Sequence, residues 1–461
     1  MRIEQTIEQL KNKKIGVLGV GVEGRATIEY LLRHGVQQIE ALDKNEIDAL
    51  PAGISFRSGD LYMADLARFD VIFKSPGFRP DLPSLQTARD AGTKITSAVS
   101  FFMEHCPAKV IGITGTVGKG TASSIVAKAL EAAGFTVHLG GNIGKSPLTF
   151  LDDVQADDRV VLELSSFQTM DISVSPKLAG ILKTTTEHLD WHRDTEEYRF
   201  AKSQLLRFQT AEDIVVYNAD APASAQIAEC SAASKWAYSL NGRVNNGVFL
   251  EDGRLMYSKE GVETALPLRV AEVRLAGRFN LENIASAVLL AHLAGGDLEA
   301  VCAAAEVFEG LPNRLELAAR SEKIRYYNDS YATRPDAAAA AIAAFDAPLA
   351  LVMGGSEKNA DFAELTALIF ERKNIVSISL IGATAERMFA EIQSHGPPAF
   401  SLRIHETLAE AMNDAQSHLQ ERGGVLLMAP ACASFGLFKN YKERGEQFVQ
   451  LARKLAAGHS I

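Results

Sequence analysis

Residues 111–121 read Ile111-Gly112-Ile113-Thr114-Gly115-Thr116-Val117-Gly118-Lys119-Gly120-Thr121. A largely apolar run, residues 108–111, comes before the glycines, and residues 122–132 have the apolar spacing of a helix. This order predicts a strand, a glycine loop and a helix. Such a loop points backbone N–H groups at a phosphate, the helix N-terminus adds partial positive charge, and Lys119 can reach the outer phosphates. The ligand that this arrangement favours is ATP.

The loop departs from the strict phosphate-binding pattern. That pattern, G-x-x-x-x-G-K-[ST], places a hydroxyl for Mg²⁺ directly after the lysine. Here Gly120 follows Lys119, the hydroxyl comes one position later at Thr121, and the spacing before the lysine is shorter. An ordinary glycine turn between a strand and a helix is therefore an open alternative.

Length and composition bound the class of protein. A chain of 461 residues predicts about three domains of about 150 residues each. The net charge of −10 argues against a general nucleic-acid binder, which needs a basic surface. No apolar run approaches the roughly 18 residues that span a bilayer, and residues 1–14 are unlike a signal peptide, so we expect a cytoplasmic protein without a membrane partner. The four cysteines are far apart, and we expect each to be a small buried hydrophobe.

A second glycine motif lies near the N-terminus, in residues 1–98, which we expect to form the first domain. The sequence Gly19-Val20-Gly21-Val22-Glu23-Gly24 follows an apolar run, and Asp43 comes about 20 positions later. This fingerprint has three open readings: an NAD site, a site for another nucleotide, and a merely structural turn. A further predicted strand leads into the turn Ser75-Pro76-Gly77, at a sheet edge where α/β proteins bind ligands.

Polar residues follow several predicted strands of the second region, residues 99–311. One strand ends on Glu163, which is equally well read as a metal-directed carboxylate or as a solvated strand end. Residues 183–192 are rich in hydrogen-bonding and metal-capable groups, and a helix predicted over residues 195–208 carries Lys202. By themselves, His188 is more often a structural histidine than a ligand, and Lys202 is typical of a solvated lysine on a helix. The turns Asn241-Gly242, Asn246-Gly247 and Asp252-Gly253 predict hairpins, and residues 277–295 predict a helix.

The third region, residues 312–461, alternates predicted strands with helices. We expect strands near residues 324–328, 349–353, 375–380 and 424–428, with polar strand exits at 328–333, 354–359 and 429–434. Three α/β units with such exits favour an enzyme with several substrates over a binder of one ligand.

These segments, in this order, resemble the Mur ligases, the ATP-dependent amide-forming enzymes of peptidoglycan precursor synthesis. The resemblance covers essentially the whole chain, and its most specific pieces are Leu162-Glu163-Leu164-Ser165-Ser166-Phe167-Gln168, Glu187-His188-Leu189-Asp190 followed by Lys202, and Pro430-Ala431-Cys432-Ala433-Ser434 with Phe438-Lys439-Asn440. It implies an α/β protein of three domains: a Rossmann-like UDP-binding domain at 1–98, a central P-loop ATPase-like domain at 99–311, and a C-terminal Rossmann-like domain at 312–461.

The nearest branch is the one that adds glutamate. The resemblance implies that ATP activates the carboxylate of UDP-N-acetylmuramoyl-L-alanine as an acyl phosphate, which the amine of glutamate then attacks. D-glutamate is favoured, and the same chemistry with L-glutamate is the alternative. NAD-dependent oxidation and nucleotide binding without turnover are the less favoured readings. We expect a monomer.

The resemblance also implies four sets of site residues. The UDP substrate would contact Gly21, Val22, Asp43, Lys44, Ser75, Pro76, Gly77, Asn142 and His188. ATP would contact Gly115, Thr116, Gly118, Lys119, Gly120, Thr121, Asn280, Asn283, Arg314 and Asp329. One or two Mg²⁺ ions would lie among Thr121, Glu163, His188 and a carbamylated Lys202, and the catalytic residues would be Lys119, Glu163, His188 and Lys202. The amino acid would contact Thr333, Lys358, Ser434, Phe435 and Tyr441.

The chain departs from the family pattern at several of these positions. Val117 replaces a small polar residue and Gly120 a hydroxyl, Phe279 stands where relatives often have His, and Tyr331 where Lys is common. The continuation Thr333-Arg334-Pro335-Asp336 also differs from the usual form. These departures bear on metal geometry and on the stereochemistry of the amino acid more than on the class of reaction.

Overall fold

The computed structural model describes residues 3–47, 50–187, 191–357, 360–459 and 461. The chain divides into two compact units, the first comprising Met1–Glu272 with Glu282–Glu306 and the second Val273–Leu281 with Val307–Ile461. The strands form three separate sheets of five, nine and six strands. The α/β architecture predicted from the sequence is confirmed, and the three domain boundaries stay a prediction.

A five-stranded parallel sheet forms the N-terminal part of the first unit. Its strands are β1 Ile15–Leu18, β2 Ile39–Leu42, β3 Ser55–Arg57, β4 Val71–Lys74 and β5 Lys94–Thr96, in the spatial order β3-β2-β1-β4-β5. The helices are α1 Ile3–Leu10, α2 Val22–Arg33, α3 Pro83–Asp90 and α4 Ala98–His105. Gly24 packs so tightly at the start of α2 that an added Cβ would lie 2.1 Å from the Gly19 carbonyl oxygen.

A nine-stranded sheet forms the rest of the first unit, in the order β14-β13-β12-β11-β10-β9-β6-β8-β7. Its strands are β6 Lys109–Thr114, β7 Val137–Gly141, β8 Arg159–Glu163, β9 Leu178–Ile181, β10 Ile214–Asn218, β11 Ser234–Ser239, β12 Gly247–Glu251, β13 Arg254–Lys259 and β14 Val262–Ala265. The helices are α5 Lys119–Ala132, α6 Ser166–Thr169, α7 Thr195–Ser203, α8 Pro222–Glu229, α9 Arg278–Leu293, which continues from the second unit, and α10 Leu298–Glu306.

The predicted strand, glycine loop and helix correspond to β6, residues 115–118 and α5. The predicted hairpins are only partly right. The Asp252-Gly253 turn joins the antiparallel strands β12 and β13, but β11 and β12 are parallel, so Asn241-Gly242 and Asn246-Gly247 close no hairpin between them. Asn241-Gly242 lies in the connection between β11 and β12, and Asn246 ends that connection directly before Gly247, the first residue of β12. The α-helix that carries Lys202 ends at Ser203 and is followed by a 3-10 turn, Gln204–Leu206.

A six-stranded sheet forms the second unit, in the order β15-β16-β20-β17-β18-β19. Its strands are β15 Glu316–Arg320, β16 Ile324–Asn328, β17 Leu349–Gly354, β18 Ile375–Ile381, β19 Ser401–His405 and β20 Gly424–Met428, and all neighbours are parallel except β15 and β16. The helices are α11 Pro335–Ala343, α12 Ala363–Glu371, α13 Ala385–Ser394, α14 Leu408–Ser417 and α15 Tyr441–Ala456. The four strands predicted for this region are all present.

Apolar side chains of the parallel strands form the cores. The central strand β17 is buried along its whole length, as its run of apolar residues predicts. Cys302 and Cys432 are buried as expected, whereas the same expectation is wrong for Cys230, which is exposed after the C-terminal end of α8. Among the described residues, no helix is both long and apolar enough to cross a bilayer.

Candidate functional site

The glycine loop after β6 has the backbone of an anion site. Gly118 is the N-cap of α5 and has a φ of +85°, a left-handed conformation that favours glycine. A Cβ at Gly118 would also lie 2.1 Å from the side-chain oxygen of Asn283, so α9 approaches the loop closely. The Lys119 Nζ donates to the Thr116 carbonyl oxygen at 2.8 Å. The predicted loop is therefore present, with its lysine folded over it.

The hydroxyl groups near the loop have different surroundings. The Thr116 side chain is buried, and its Oγ1 accepts from the Thr185 backbone N–H at 2.9 Å and lies 3.0 Å from the Tyr198 hydroxyl oxygen. Thr121 is half-buried in the first turn of α5, and Val117 is exposed at the tip of the loop. Thr116 therefore holds the loop to its neighbours, and Thr121 is the hydroxyl of the first turn.

Glu163 and Asn142 meet at the carboxyl ends of two neighbouring strands. The Glu163 side chain is 4% exposed, and its Oε1 accepts from the Asn142 Nδ2 at 2.7 Å. The Asn142 backbone N–H also donates to the Glu163 carbonyl oxygen at 2.8 Å. Directly after β8, Ser165 and Gln168 form a capping box that starts α6. Glu163 is thus a buried, oriented carboxylate and not a solvated strand end.

Lys202 lies in the last turn of α7 and is 1% exposed. Its Nζ donates to the Gly115 carbonyl oxygen at 2.8 Å. Within the described part of the chain, no carboxylate oxygen lies within 4.0 Å of this amine. Burial lowers the pKa of the Lys202 ammonium well below its usual range, and the charge of Lys119 lowers it further. Lys202 is therefore not the solvated helix lysine that its spacing alone suggests.

The proposed metal ligands are only partly visible. His188 lies outside the described residues. Among the residues that are described, no group of three or more His, Cys, Asp or Glu side chains is arranged to hold a metal ion. Glu163 and Thr121 are the encoded oxygen donors that remain, and Lys202 would add oxygens only as a carbamate.

The N-terminal glycine loop is held by Asp43 and Ser75. The Asp43 Oδ2 accepts from the Val20 backbone N–H at 2.8 Å, and the Ser75 Oγ donates to the Gly19 carbonyl oxygen at 2.7 Å. The other residues predicted for the UDP site line the exits of β1, β2 and β4, where Gly21, Val22, Lys44 and Gly77 are exposed and Pro76 is half-buried. The sequence fingerprint did not show that the Asp43 carboxylate accepts a hydrogen bond from the backbone of the glycine loop.

In the second unit, Arg314 and Asp329 lie at the start of β15 and the end of β16. The Asp329 Oδ1 accepts from the Leu315 backbone N–H at 3.2 Å, and burial raises the pKa of Asp329 to about 7. The Arg314 guanidinium lies 3.9 Å from the centre of the Tyr331 ring. The family resemblance predicts a lysine at the position of Tyr331. The tyrosine has no charge of its own, and its ring stacks on the Arg314 guanidinium. Asn280 is buried in the first turn of α9, where its Nδ2 donates to the Ala276 carbonyl oxygen.

Of the residues predicted for the amino acid, Ser434 and Phe435 follow the end of β20, and Tyr441 begins α15. Ser434 is buried, Phe435 is exposed, and the Tyr441 and Tyr331 rings meet edge to face at 5.2 Å. Thr333 is half-buried in the loop before α11, and Lys358 lies outside the described residues.

Arg444 contacts the loops that follow β16 and β20, and the sequence did not predict this role. Its side chain is fully buried, donates to the Ser330 hydroxyl at 3.0 Å and contacts the Cys432 carbonyl oxygen at 3.1 Å. Burial lowers the pKa of Arg444 to about 10. In the sequence it is one of several charged residues in an amphipathic helix, so nothing there marks it as buried.

Three family models match consecutive parts of the chain: the Mur ligase MurD-like N-terminal domain at 13–97, the Mur ligase middle domain at 113–291, and the Mur ligase glutamate ligase domain at 313–432. UDP-N-acetylmuramoylalanine–D-glutamate ligase of Clostridium tetani is 33% identical over 96% of this chain and 97% of its own length. This chain belongs to the Mur ligase family. The enzyme of the same name from Symbiobacterium thermophilum is also 33% identical, over 96% of this chain and 98% of its own length.

Solved Mur ligases share the fold. MurF from Acinetobacter baumannii superposes with a TM-score of 0.60 at 17% identity, covering 98% of both chains. MurF from Thermotoga maritima, solved in complex with ADP, gives a TM-score of 0.59 at 16% identity and covers 99% of this chain and 100% of its own. The N-terminal glycine fingerprint thus belongs to a Mur ligase N-terminal domain, and the NAD-dependent oxidoreductase reading is not favoured.

Proposed function

We propose that this Mur ligase joins D-glutamate to UDP-N-acetylmuramoyl-L-alanine at the expense of ATP, in the synthesis of peptidoglycan precursors. The names of the relatives that are about one-third identical over nearly the whole chain support this substrate pair. The observation that carries the reaction is the contact of the buried Lys202 with the phosphate loop at Gly115. A buried amine beside a nucleotide loop is chemically useful in a ligase, whereas a simple nucleotide binder does not need it.

The ATP phosphates would bind the loop after β6. Backbone N–H groups of Gly115, Thr116 and Gly118 to Thr121 would hold them, and Lys119 would balance their charge. A solved fold neighbour in complex with ADP supports the nucleotide. The contacts proposed for Asn280, Asn283, Arg314 and Asp329 stay predictions.

The encoded oxygen donors suit Mg²⁺, which prefers carboxylate and hydroxyl oxygens. Glu163 is buried and oriented through Oε1, and its Oε2 accepts no hydrogen bond from any residue in the described ranges. Glu163, Thr121 and carbamylated Lys202 would hold the ion, together with His188. Bound there, Mg²⁺ would act as a Lewis acid towards phosphate oxygens.

The surroundings of Lys202 support its carbamylation. CO₂ adds only to a neutral amine, and burial beside Lys119 favours that form. In the addition the amine nitrogen bonds to the carbon of CO₂ and releases one proton to solvent, which gives a carbamate anion with two oxygen donors. Tyr198, whose ring centre lies 4.5 Å from Nζ, would pack against the modified side chain.

The residues of the chain would act in two steps. Lys119 and the loop N–H groups would stabilise charge on the γ-phosphate while the carboxylate of the UDP substrate attacks phosphorus. Asn142, fixed by its contact with Glu163, would orient that carboxylate. Ser434, Phe435, Tyr441, Thr333 and Lys358 would then bind glutamate, whose amine displaces phosphate from the acyl phosphate.

Phosphate release by the purified chain tests the proposal. With UDP-N-acetylmuramoyl-L-alanine, ATP, Mg²⁺ and a panel of D- and L-amino acids, we expect release only with D-glutamate, accompanied by an amide product of the matching mass. Turnover with L-glutamate alone would overturn the stereochemical assignment and leave the ligase chemistry intact. ADP binding without turnover on any amino acid would indicate a nucleotide binder that is not an enzyme.

A further inference from the structure

Arg79 has an unusual arrangement of contacts on the turn that follows β4. All five of its N–H donors are used: Nε and one Nη2 donor contact Asp81 at 3.0 Å, one Nη1 donor contacts the Trp191 carbonyl oxygen at 2.5 Å, and the remaining two contact Glu197 at 3.1 and 2.6 Å. A guanidinium that is saturated in this way is fixed in position and orientation. Arg79, which follows the turn Ser75–Gly77, therefore connects this part of the chain to the beginning of α7 by hydrogen bonds and an ion pair.

Trp191 makes a second connection between the same two segments. Its indole Nε1 donates to the Gly77 carbonyl oxygen at 3.1 Å, and its ring lies 5.1 Å from the Arg79 guanidinium and 4.7 Å from the Phe167 ring. The neighbouring His192 is buried, and its Nε2 lies 2.9 Å from the Ser166 Oγ. The start of α7 is thus held on one side by the turn after β4 and on the other by the segment after β8.

The same helix, α7, also contacts the phosphate loop. Glu197 lies in the first turn of this nine-residue helix, Tyr198 follows it and lies 3.0 Å from Thr116, and Lys202 in the last turn donates to the Gly115 carbonyl oxygen at 2.8 Å. A helix of this length spans only about 13 Å. The contacts to Arg79 and to the phosphate loop are therefore made by one short element.

We propose that Arg79 is a positioning residue that couples the nucleotide-sugar turn, Ser75–Gly77, to the phosphate loop through Glu197 and α7. The proposal rests on the proposed function and on binding of its UDP substrate at this turn, which the family resemblance implies. Its consequence is that each of the two nucleotides binds more tightly when the other is present, and coupling between two sites is typically about 5- to 150-fold.

Other contacts also join the two sheets, so removal of Arg79 should leave the fold intact. Lys74 and Asp171 form a buried ion pair between the same two parts of the unit, with Nζ and Oδ2 2.6 Å apart. Gln168 also donates to Glu23 across this boundary at 2.5 Å. Loss of coupling in an Arg79 variant would therefore reflect α7 and the turn.

The test measures the dissociation constant of ADP by calorimetry, with and without saturating UDP-N-acetylmuramoyl-L-alanine, in the full chain. The ratio of the two constants should fall most of the way from the wild-type value towards one in Arg79→Ala and in the isosteric Glu197→Gln, and less in Arg79→Lys, since the contact of Trp191 with Gly77 remains in all three. Arg33→Ala is the matched control: Arg33 pairs with Asp152 across the same boundary at 3.2 Å, away from α7, and the ratio should stay at the wild-type value.

Each outcome bears on one proposal or on both. A ratio near one in the wild type, or an unchanged ratio in Arg79→Ala and Glu197→Gln, would overturn the coupling and leave the proposed ligase standing. Loss of the ratio in Arg33→Ala as well would show that any bridge across this boundary matters, and would also overturn the role of Arg79. Failure of the wild type to bind the nucleotide sugar would defeat both proposals.

At saturating nucleotide sugar, Arg79→Ala should raise the KM for ATP more than it lowers kcat, which a loss of stability alone would not do.

Discussion

Two fully buried lysines of the first unit show what burial does and does not imply. Lys74, at the end of β4, forms an ion pair with Asp171 at 2.6 Å and donates to the Phe78 carbonyl oxygen at 2.7 Å. Lys202 has a backbone carbonyl oxygen at 2.8 Å and, among the described residues, no carboxylate within 4.0 Å. Both are equally removed from water, so the difference lies in the counter-charge.

That difference separates a structural lysine from a functional one. A buried lysine with a carboxylate beside it joins the two sheets through an ion pair. Removal of one partner leaves the other charge buried and uncompensated. A buried lysine without one is costly in its charged form, and such a group is a candidate for a functional role. Accordingly, substitution should affect stability at Lys74 and activity at Lys202.

The largest effect should come from Lys202→Met. Because the group proposed to act is an anion built on Lys202, its loss should lower kcat by about 10²- to 10³-fold, as removal of other preorganised charges does. Phosphate release measures it, and a small carboxylic acid such as acetate should restore part of the activity. Full turnover without rescue would return Lys202 to a structural role.

Lys119→Ala should be comparably damaging, because Lys119 is proposed to bear the charge of the transferred phosphate. Activity should be lost while circular dichroism stays native. Lys109→Ala, on the exposed start of the same strand β6, is the matched control and should retain activity. Equal activity in the two variants would remove the phosphate role from Lys119.

Lys74→Met should lower the free energy of unfolding by about 3–5 kcal/mol, since it leaves the Asp171 carboxylate buried without its partner. Burial already raises the pKa of Asp171. Urea denaturation measures the change, and the double variant Lys74→Met with Asp171→Leu should recover most of it. A loss below about 1 kcal/mol would mean that this pair is energetically no different from a surface ion pair.

Stability should depend on pH more strongly in the wild type than in Lys202→Met. The folded-state pKa of Lys202 lies below its unfolded value, so the unfolded chain binds the proton more tightly, and wild-type stability is lost as pH falls below about 10.5. In CO₂-free buffer, Lys202→Met should therefore be the more stable protein at pH 7, and its advantage should shrink as pH approaches 10. An equal pH dependence of the two melting temperatures would contradict this account.

The smallest effect should come from Thr121→Ala. Loss of one hydroxyl, worth about 1 kcal/mol, should raise the Mg²⁺ concentration for half-maximal activity about five-fold. Thr116→Val should instead lower thermal stability, because the Thr116 hydroxyl bonds within the protein. An unchanged metal titration would show that Thr121 does not replace the hydroxyl missing at Gly120.

Local patterns predicted the elements that position the site. The loop at Gly115–Lys119, the strand ending on Glu163 and the strands of the third region were readable because apolar periodicity and glycine spacing are local signals. The hairpins predicted at the two Asn-Gly turns were wrong, because such a dipeptide indicates a turn and not the direction in which the next strand pairs.

Long-range contacts were not readable. Arg79 and Glu197 are 118 residues apart in the sequence, and nothing local marks either as paired. The burial of Lys202, the stacking of Arg314 on Tyr331 and the support from Arg444 likewise depend on tertiary packing. The proposed role of Lys202 came from family resemblance, and the structure adds the burial of its side chain.

Carbon-13 NMR after equilibration with ¹³C-bicarbonate tests the contrast between the two buried lysines most directly. We expect one carbamate resonance in the wild type, its loss in Lys202→Met, and its retention in the double variant Lys74→Met with Asp171→Leu. The absence of a carbamate resonance from the wild type, or its persistence in Lys202→Met, would show that Lys202 is not the carbamylated residue.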